Sequence, residues 1–196
     1  MAAALVAGGM LAGSVSTAEA ATITGTTSLP ITYDKALTFD GTERVSFILN
    51  GDEFSDQGVL FGGNWRFNGG PDGLLSVVDN QVQPGNIHFL QPVTAAVIRS
   101  QTTPGGTTFY AYRNGNLVEE FNRFTNSEWL YFGFQDIIFD ELRFLRTDGD
   151  SDPSFALNID DIYFQVAPIP LPAGVWLLLS AVGGLGFVGR RKITAR

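Results

Sequence analysis

The sequence predicts an all-β fold: a two-sheet antiparallel β-sandwich of jelly-roll type, with an N-terminal signal segment and one C-terminal transmembrane helix. Three observations carry this expectation. Between residues 22 and 166 no apolar pattern repeats at the helical period, and strand-length apolar runs alternate with Gly, Pro and Asn. Asn-Gly pairs stand where hairpin turns would close. The last 29 residues join a proline-rich hinge, a long apolar run and a basic cluster.

Residues 1–20 read as a secretory signal. An apolar run fills positions 2–12, and Ala18-Glu19-Ala20 forms a small-x-small cleavage site before Ala21. No Lys or Arg precedes the apolar run. The exported part is expected to be residues 21–167, one domain large enough to bury its own core. The chain has no cysteine, so no disulfide can brace it.

About ten strands follow in order. Val45, Phe47 and Leu49 alternate with polar neighbours ahead of Asn50-Gly51. Residues 58–61, 74–78, 86–90 and 93–100 are further apolar runs. Residues 107–113 and 116–121 flank Asn114-Gly115, which supplies the positive φ angles of a two-residue hairpin. In 129–134, Leu130, Phe132 and Phe134 share one face and Trp129 and Tyr131 the other. Residues 140–146 and 155–166 complete the set, at a spacing that suits a sandwich or barrel.

From Leu171 to Val188 there is no charged side chain. Eighteen helical residues reach about 27 Å, near the ~30 Å of a hydrocarbon core. Arg190, Arg191 and Lys192 follow, and Arg196 ends the chain, so this side is expected to stay cytoplasmic. The tail resembles the PEP-CTERM sorting signal of Gram-negative bacteria in its VPLPA variant. The matching residues are Ile169, Pro170, Leu171, Pro172, Ala173 and Gly174, then the apolar run, then Arg190-Arg191. The Pro-Glu-Pro core of the main family is absent, and Ile169 stands where the variant usually has Val. The resemblance implies transient recognition by an exosortase, a membrane-embedded cysteine transpeptidase. It also implies cleavage near the prolines and a producer of exopolysaccharide. The protein would be anchored in the inner membrane before sorting, then held at the cell surface, outer envelope or extracellular matrix.

Charge narrows the partners. Residues 21–167 carry eight of the twelve basic and nineteen of the twenty acidic residues, a balance of −11. Such a surface repels nucleic acid and anionic lipid. Catalysis finds little support, because there is one histidine, His88, in an apolar strand as an outward-facing residue. Glu119-Glu120 and Asp140-Glu141 are sequence neighbours, so on strands each pair splits between two faces. The reading is therefore a binding or structural protein, not an enzyme.

Calcium is the candidate cofactor. Asp148, Asp150 and Asp152 alternate around Gly149, as a hard cation's flexible oxygen loop does; a solvated acidic hairpin loop is the alternative. Ile159 and Ile162 are three apart and cannot share a face of a regular strand, so one points out or a bulge lies between them. A bulge would turn Asp160 or Asp161 inward, toward a metal, an Arg or backbone N–H groups. The segment Ile159-Asp160-Asp161-Ile162 resembles the closing strand of MAM-type and galactose-binding-like jelly rolls. That resemblance implies a structural calcium there, with Asp34 and Asp40 as further ligands. Aromatic residues point to sugar. Tyr110 and Tyr112, and Trp129 and Tyr131, each lie on one strand face, where they would stack on an extracellular polysaccharide or fill a second sheet's core. Trp65 belongs to the same mixed aromatic set.

Overall fold

The computed structural model describes residues 21–39, 47–48, 51–63, 65–68, 74–78, 85–102, 105–125, 127–146 and 156–169. The chain divides into two units, 1–166 and 167–196. The strands all belong to the first: β1 (Ala21–Thr26), β2 (Lys35–Thr38), β3 (Phe47–Ile48), β4 (Val59–Gly62), β5 (Trp65–Asn68), β6 (Leu74–Val78), β7 (Gly85–Thr102), β8 (Gly105–Arg113), β9 (Asn116–Thr125), β10 (Leu130–Arg146) and β11 (Ala156–Val166). A 3₁₀ turn, Ser55–Gln57, precedes β4. No helix among the described residues is long and apolar enough to cross a membrane. The signal segment 1–20, the apolar run 171–188 and the basic cluster Arg190, Arg191 and Lys192 lie outside the described residues. In the second unit, residues 167–169 form no regular element, and Ile169 is exposed.

The fold is all-β and every strand pair is antiparallel. Hydrogen bonding joins the strands in one continuous ladder, β3-β5-β6-β11-β7-β10-β8-β9, with β1 on β10, β2 on β11 and β4 on β7. Two long strands cause this. Residues 86–90 and 93–100 form the single strand β7, and 129–134 merges with 140–146 in β10, leaving Trp129 just before it.

Each long strand has a physical reason to bend. Pro92 in β7 offers no N–H, and the β10 register shifts there, from Phe139 opposite Val93 to Glu141 opposite His88. In β10 the break falls between Gln135 and Phe139, where Asp136 adopts φ 61. Asp is one of the few residues that visit the left-handed region. Before the breaks β10 pairs through 130–135 with 95–100 of β7; after them it pairs through 141–146 with 85–88 of β7 and with β8.

The apolar sides of these two halves meet in one aromatic core. Ring centroids run from Phe39 to Phe54 (5.6 Å), Phe54 to Phe61 (5.6 Å), Phe61 to Trp65 (5.3 Å) and Trp65 to Phe144 (6.5 Å). Phe109 then stacks on Phe132 at 4.9 Å and on Phe121 at 4.8 Å. Most contacts are edge-on or offset, as the ring quadrupole prefers. Trp65 is thus a core residue, fully buried, and its indole N–H donates to the carbonyls of Gly62 (3.0 Å) and Asn86 (3.2 Å). The hairpin closes as its Asn-Gly pair requires, with φ 49 at Asn114 and 78 at Gly115. The Asp140 carboxylate accepts the Asn114 N–H at 3.0 and 3.1 Å.

Candidate functional site

Outward residues gather in two places, each on the far side of its strands from the core. The first lies on β7, β10 and β8. Ile87, Leu142, Phe144, Phe109 and Ala111 turn inward, so alternation turns Asn86, His88, Glu141, Arg143, Tyr110 and Tyr112 outward. The register sets them in two rows. Tyr112 stands opposite Glu141, which stands opposite His88. Tyr110 stands opposite Arg143, which stands opposite Asn86.

Glu141 is the hub of this face and is buried. Arg143 donates to it in a fork, Nε to Oε1 at 2.5 Å and Nη2 to Oε2 at 3.0 Å. Asn86 Nδ2 donates to Oε1 at 3.3 Å, and His88 Nε2 lies 3.6 Å away. Burial pushes the Glu141 carboxyl up, but the Arg143 hydrogen bond, the His88 charge and the Asn86 amide outweigh it and leave it below its ordinary value. The bond to Glu141 likewise raises Arg143. The Arg143 guanidinium covers the Tyr112 ring at 4.1 Å, and the Tyr110 and Tyr112 rings lie 6.2 Å apart. Gly62 makes room for Asn86: a Cβ at Gly62 would meet Asn86 Oδ1 at 2.2 Å. The His88 side chain is 42% exposed, outward-facing as its strand position predicts.

The second cluster surrounds the closing strand β11. The spacing of Ile159 and Ile162 does mark a bulge: Ile159 pairs with Ser100 and Asp161 with Arg99, leaving Asp160 as the extra residue. Both isoleucines are thereby buried. Of the partners an inward carboxylate needs, the fold supplies an arginine, because Arg99 Nη1 binds Asp160 Oδ2. Arg99 also lies 5.4 Å from the Trp129 ring. Tyr131 pairs with Arg99 across β10 and β7, so Tyr131, Arg99 and Asp161 form one row. The Tyr163 hydroxyl donates to Asp161 Oδ2 at 3.1 Å, and its ring meets Tyr131 (6.1 Å) and Tyr33 (4.9 Å). Burial raises the Tyr131 phenol, and burial together with Asp161 raises that of Tyr163.

The expected site residues therefore separate into two groups. Tyr110 and Tyr112 share the first face, whereas Trp129 and Tyr131 share the second with Asp160 and Asp161. All four rings are half-buried. Among the described residues no three of His, Cys, Asp and Glu group as a metal site. Asp34 instead accepts the Val166 N–H at 3.0 Å, at the far end of β11. Asp40, Asp148, Asp150 and Asp152 lie outside the described residues, as do Pro170, Leu171, Pro172, Ala173 and Gly174. Little in the sequence signals Asn86, Glu141, Arg143 and Arg99 as members of one face. Only the alternation of β7 and β10 could have placed them outward, and only the register shows which of them meet.

No protein-family model matches the chain, and no curated protein matches it. Among solved structures, it is similar to a family two carbohydrate esterase from Cellvibrio japonicus at 10% identity and a TM-score of 0.38. The match covers 64% of this chain and 36% of that one, so it spans little more than a third of that protein's length.

Proposed function

We propose that this chain is an exported cell-surface or extracellular-matrix protein that binds polysaccharide. Its β-domain would be a two-layer jelly-roll sandwich, and its C-terminal segment would direct sorting by an exosortase. One observation supports the binding reading above the rest. Tyr110 and Tyr112 share a face with Asn86, His88, Glu141 and Arg143 on three adjacent strands. A sugar needs an apolar ring face to stack on and hydrogen-bonding groups at its edge. This face offers both, and needs no charge on the ligand. The −11 balance favours a neutral or cation-bridged polysaccharide over a phosphate-rich polymer.

A glycan array with the full chain in detergent tests the reading. Tyr110→Ala and Tyr112→Ala should each weaken binding about tenfold while circular dichroism stays unchanged, since loss of one stacking contact is worth about 1 kcal/mol or somewhat more. Binding that survives both changes would remove the site.

A second reading has its own support. Arg143 covers Tyr112, and Arg99 lies against Trp129. Rings already covered by the protein's own cations suit a structural matrix protein with no small ligand. An array without any hit would favour it. A polysaccharide-acting enzyme ranks third, because Glu141 is already engaged by the Arg143 fork and the Asn86 amide.

A further inference from the structure

Strand β9 ends the ladder. It pairs with β8, and among the described residues no strand pairs with its other edge. It is ten residues long and holds neither proline nor lysine. Leu117, Val118 and Phe124 on it are 50%, 40% and 70% exposed. A strand edge presents N–H and C=O groups outward at alternate residues. An open strand edge of this length is a template for pairing with another chain. We infer that β9 pairs with β9 of a second copy, antiparallel, about a twofold axis that passes through Phe121 perpendicular to the sheet.

The charges on β9 identify the occupant. They are Glu119, Glu120 and Arg123. Centred on Phe121, the pairing puts Glu119 opposite Arg123 of the second copy, twice by symmetry. It also puts Glu120 opposite Asn122, and brings Phe124 near Val118, the extra residue of the bulge in β9. Neighbouring registers are worse. Centred on Glu120, that carboxylate faces its own copy and Arg123 faces Leu117. Centred on Asn122, Arg123 faces Phe121 and Glu120 faces Phe124, so no ion pair forms. Opposite charges directly across a ladder stabilise it and like charges destabilise it. The charges that guard this edge against other registers thus select one pairing with itself.

The axis keeps the outward faces of both copies on the same side. Tyr110 stands opposite Glu120 of β9. Across the joined strands β8, β9, β9 and β8, the two Tyr110 residues would then lie three strand spacings (about 14 Å) apart across the sheet and two residues (about 7 Å) apart along it, roughly 16 Å in all. Two faces at that distance can engage one extended polymer, with the gain that linked sites provide.

The chain has no cysteine, which makes disulfide trapping unambiguous. Directly opposed residues have Cα atoms about 4.5–5.5 Å apart, within reach of a disulfide. The full chain carrying Glu120→Cys and Asn122→Cys, oxidised in dilute detergent, should run as a covalent dimer on a non-reducing gel. Adding Arg123→Glu should lower the dimer yield about tenfold, and adding Glu119→Arg as well should restore it. A chain that stays monomeric overturns the inference. So does a yield indifferent to Arg123→Glu, which would reflect shared micelles, or a loss that Glu119→Arg does not repair. No glycan enters the assay, so its outcome is independent of the binding reading.

Discussion

At the scale of single residues, two buried carboxylates each take an arginine as partner. Glu141 is held ionised by a forked arginine, an amide and a histidine. Its carboxyl titrates lower in the folded state than the ordinary ~4.3. A lowered pKa means that the unfolded chain binds the proton first. Glu141 thus contributes stability that is fully present above about pH 4.3 and is lost as pH falls through the lower folded value. Denaturant unfolding at pH 6 and pH 3 should show Glu141→Gln losing less stability on acidification than the parent chain. An equal loss in both would show that Glu141 does not drive the acid limb. Asp160 is bound by Arg99, whose side chain is 37% exposed. Arg99→Leu should cost about 1–3 kcal/mol, below the ~3–5 of a fully buried pair, because water still reaches the site. Urea melts of the variant would measure it. Calcium that restored the lost stability would show that Asp160 and Asp161 accept a cation once the guanidinium is gone. The carboxylate pair was legible from the three-residue spacing of the isoleucines. Its partner was not, because Arg99 lies 61 residues away and nothing local marks it.

At the scale of elements, two glycines separate strain from space. Gly115 sits at φ +78 in the β8–β9 turn, and an added Cβ would meet nothing within 4 Å. Gly115→Ala should therefore cost only the left-handed penalty, about 1 kcal/mol. Gly133 lies in β10 opposite Val97, and a Cβ there would stand 2.0 Å from the Ala96 carbonyl oxygen and 2.8 Å from Val97 Cα. These are backbone atoms of the strand at the centre of the ladder and cannot yield as a side-chain tip can. Gly133→Ala should cost more than about 3 kcal/mol. Thermal melts that ranked the two substitutions the other way would show that β7 and β10 do not approach so closely. The hairpin was legible because Asn-Gly permits positive φ at both positions. The fusion of four short runs into β7 and β10 was not. Pro92 and Asp136 read as breaks in sequence, yet each strand runs on through them and the ladder shifts register there.

At the scale of the whole molecule, the tail and the β-domain make separate predictions. If the resemblance of residues 169–191 to a sorting signal holds, protein at the cell surface of the native host lacks Arg190–Arg196. Replacing Pro170, Leu171 and Pro172 by alanine should then trap the chain in the inner membrane. Mass spectrometry of the C-terminal peptide from surface fractions would check this, and an intact terminus there would rule it out. The sequence by itself determined the all-β class, the hairpin turn, the inward phase of Phe132 and Phe134 and the break at Asp160. Each rests on neighbours along the chain: a two-residue period, a turn pair, a spacing of three. Only the tertiary structure decided that Trp65 is core, that Tyr112 lies under Arg143 and that Asp160 is neutralised by Arg99. Alternation says which residues share a face, but which strand lies beside it is set by pairings between residues tens of positions apart. In those pairings the phenylalanines of both halves bury one another in one core, which the apolar area removed from water favours.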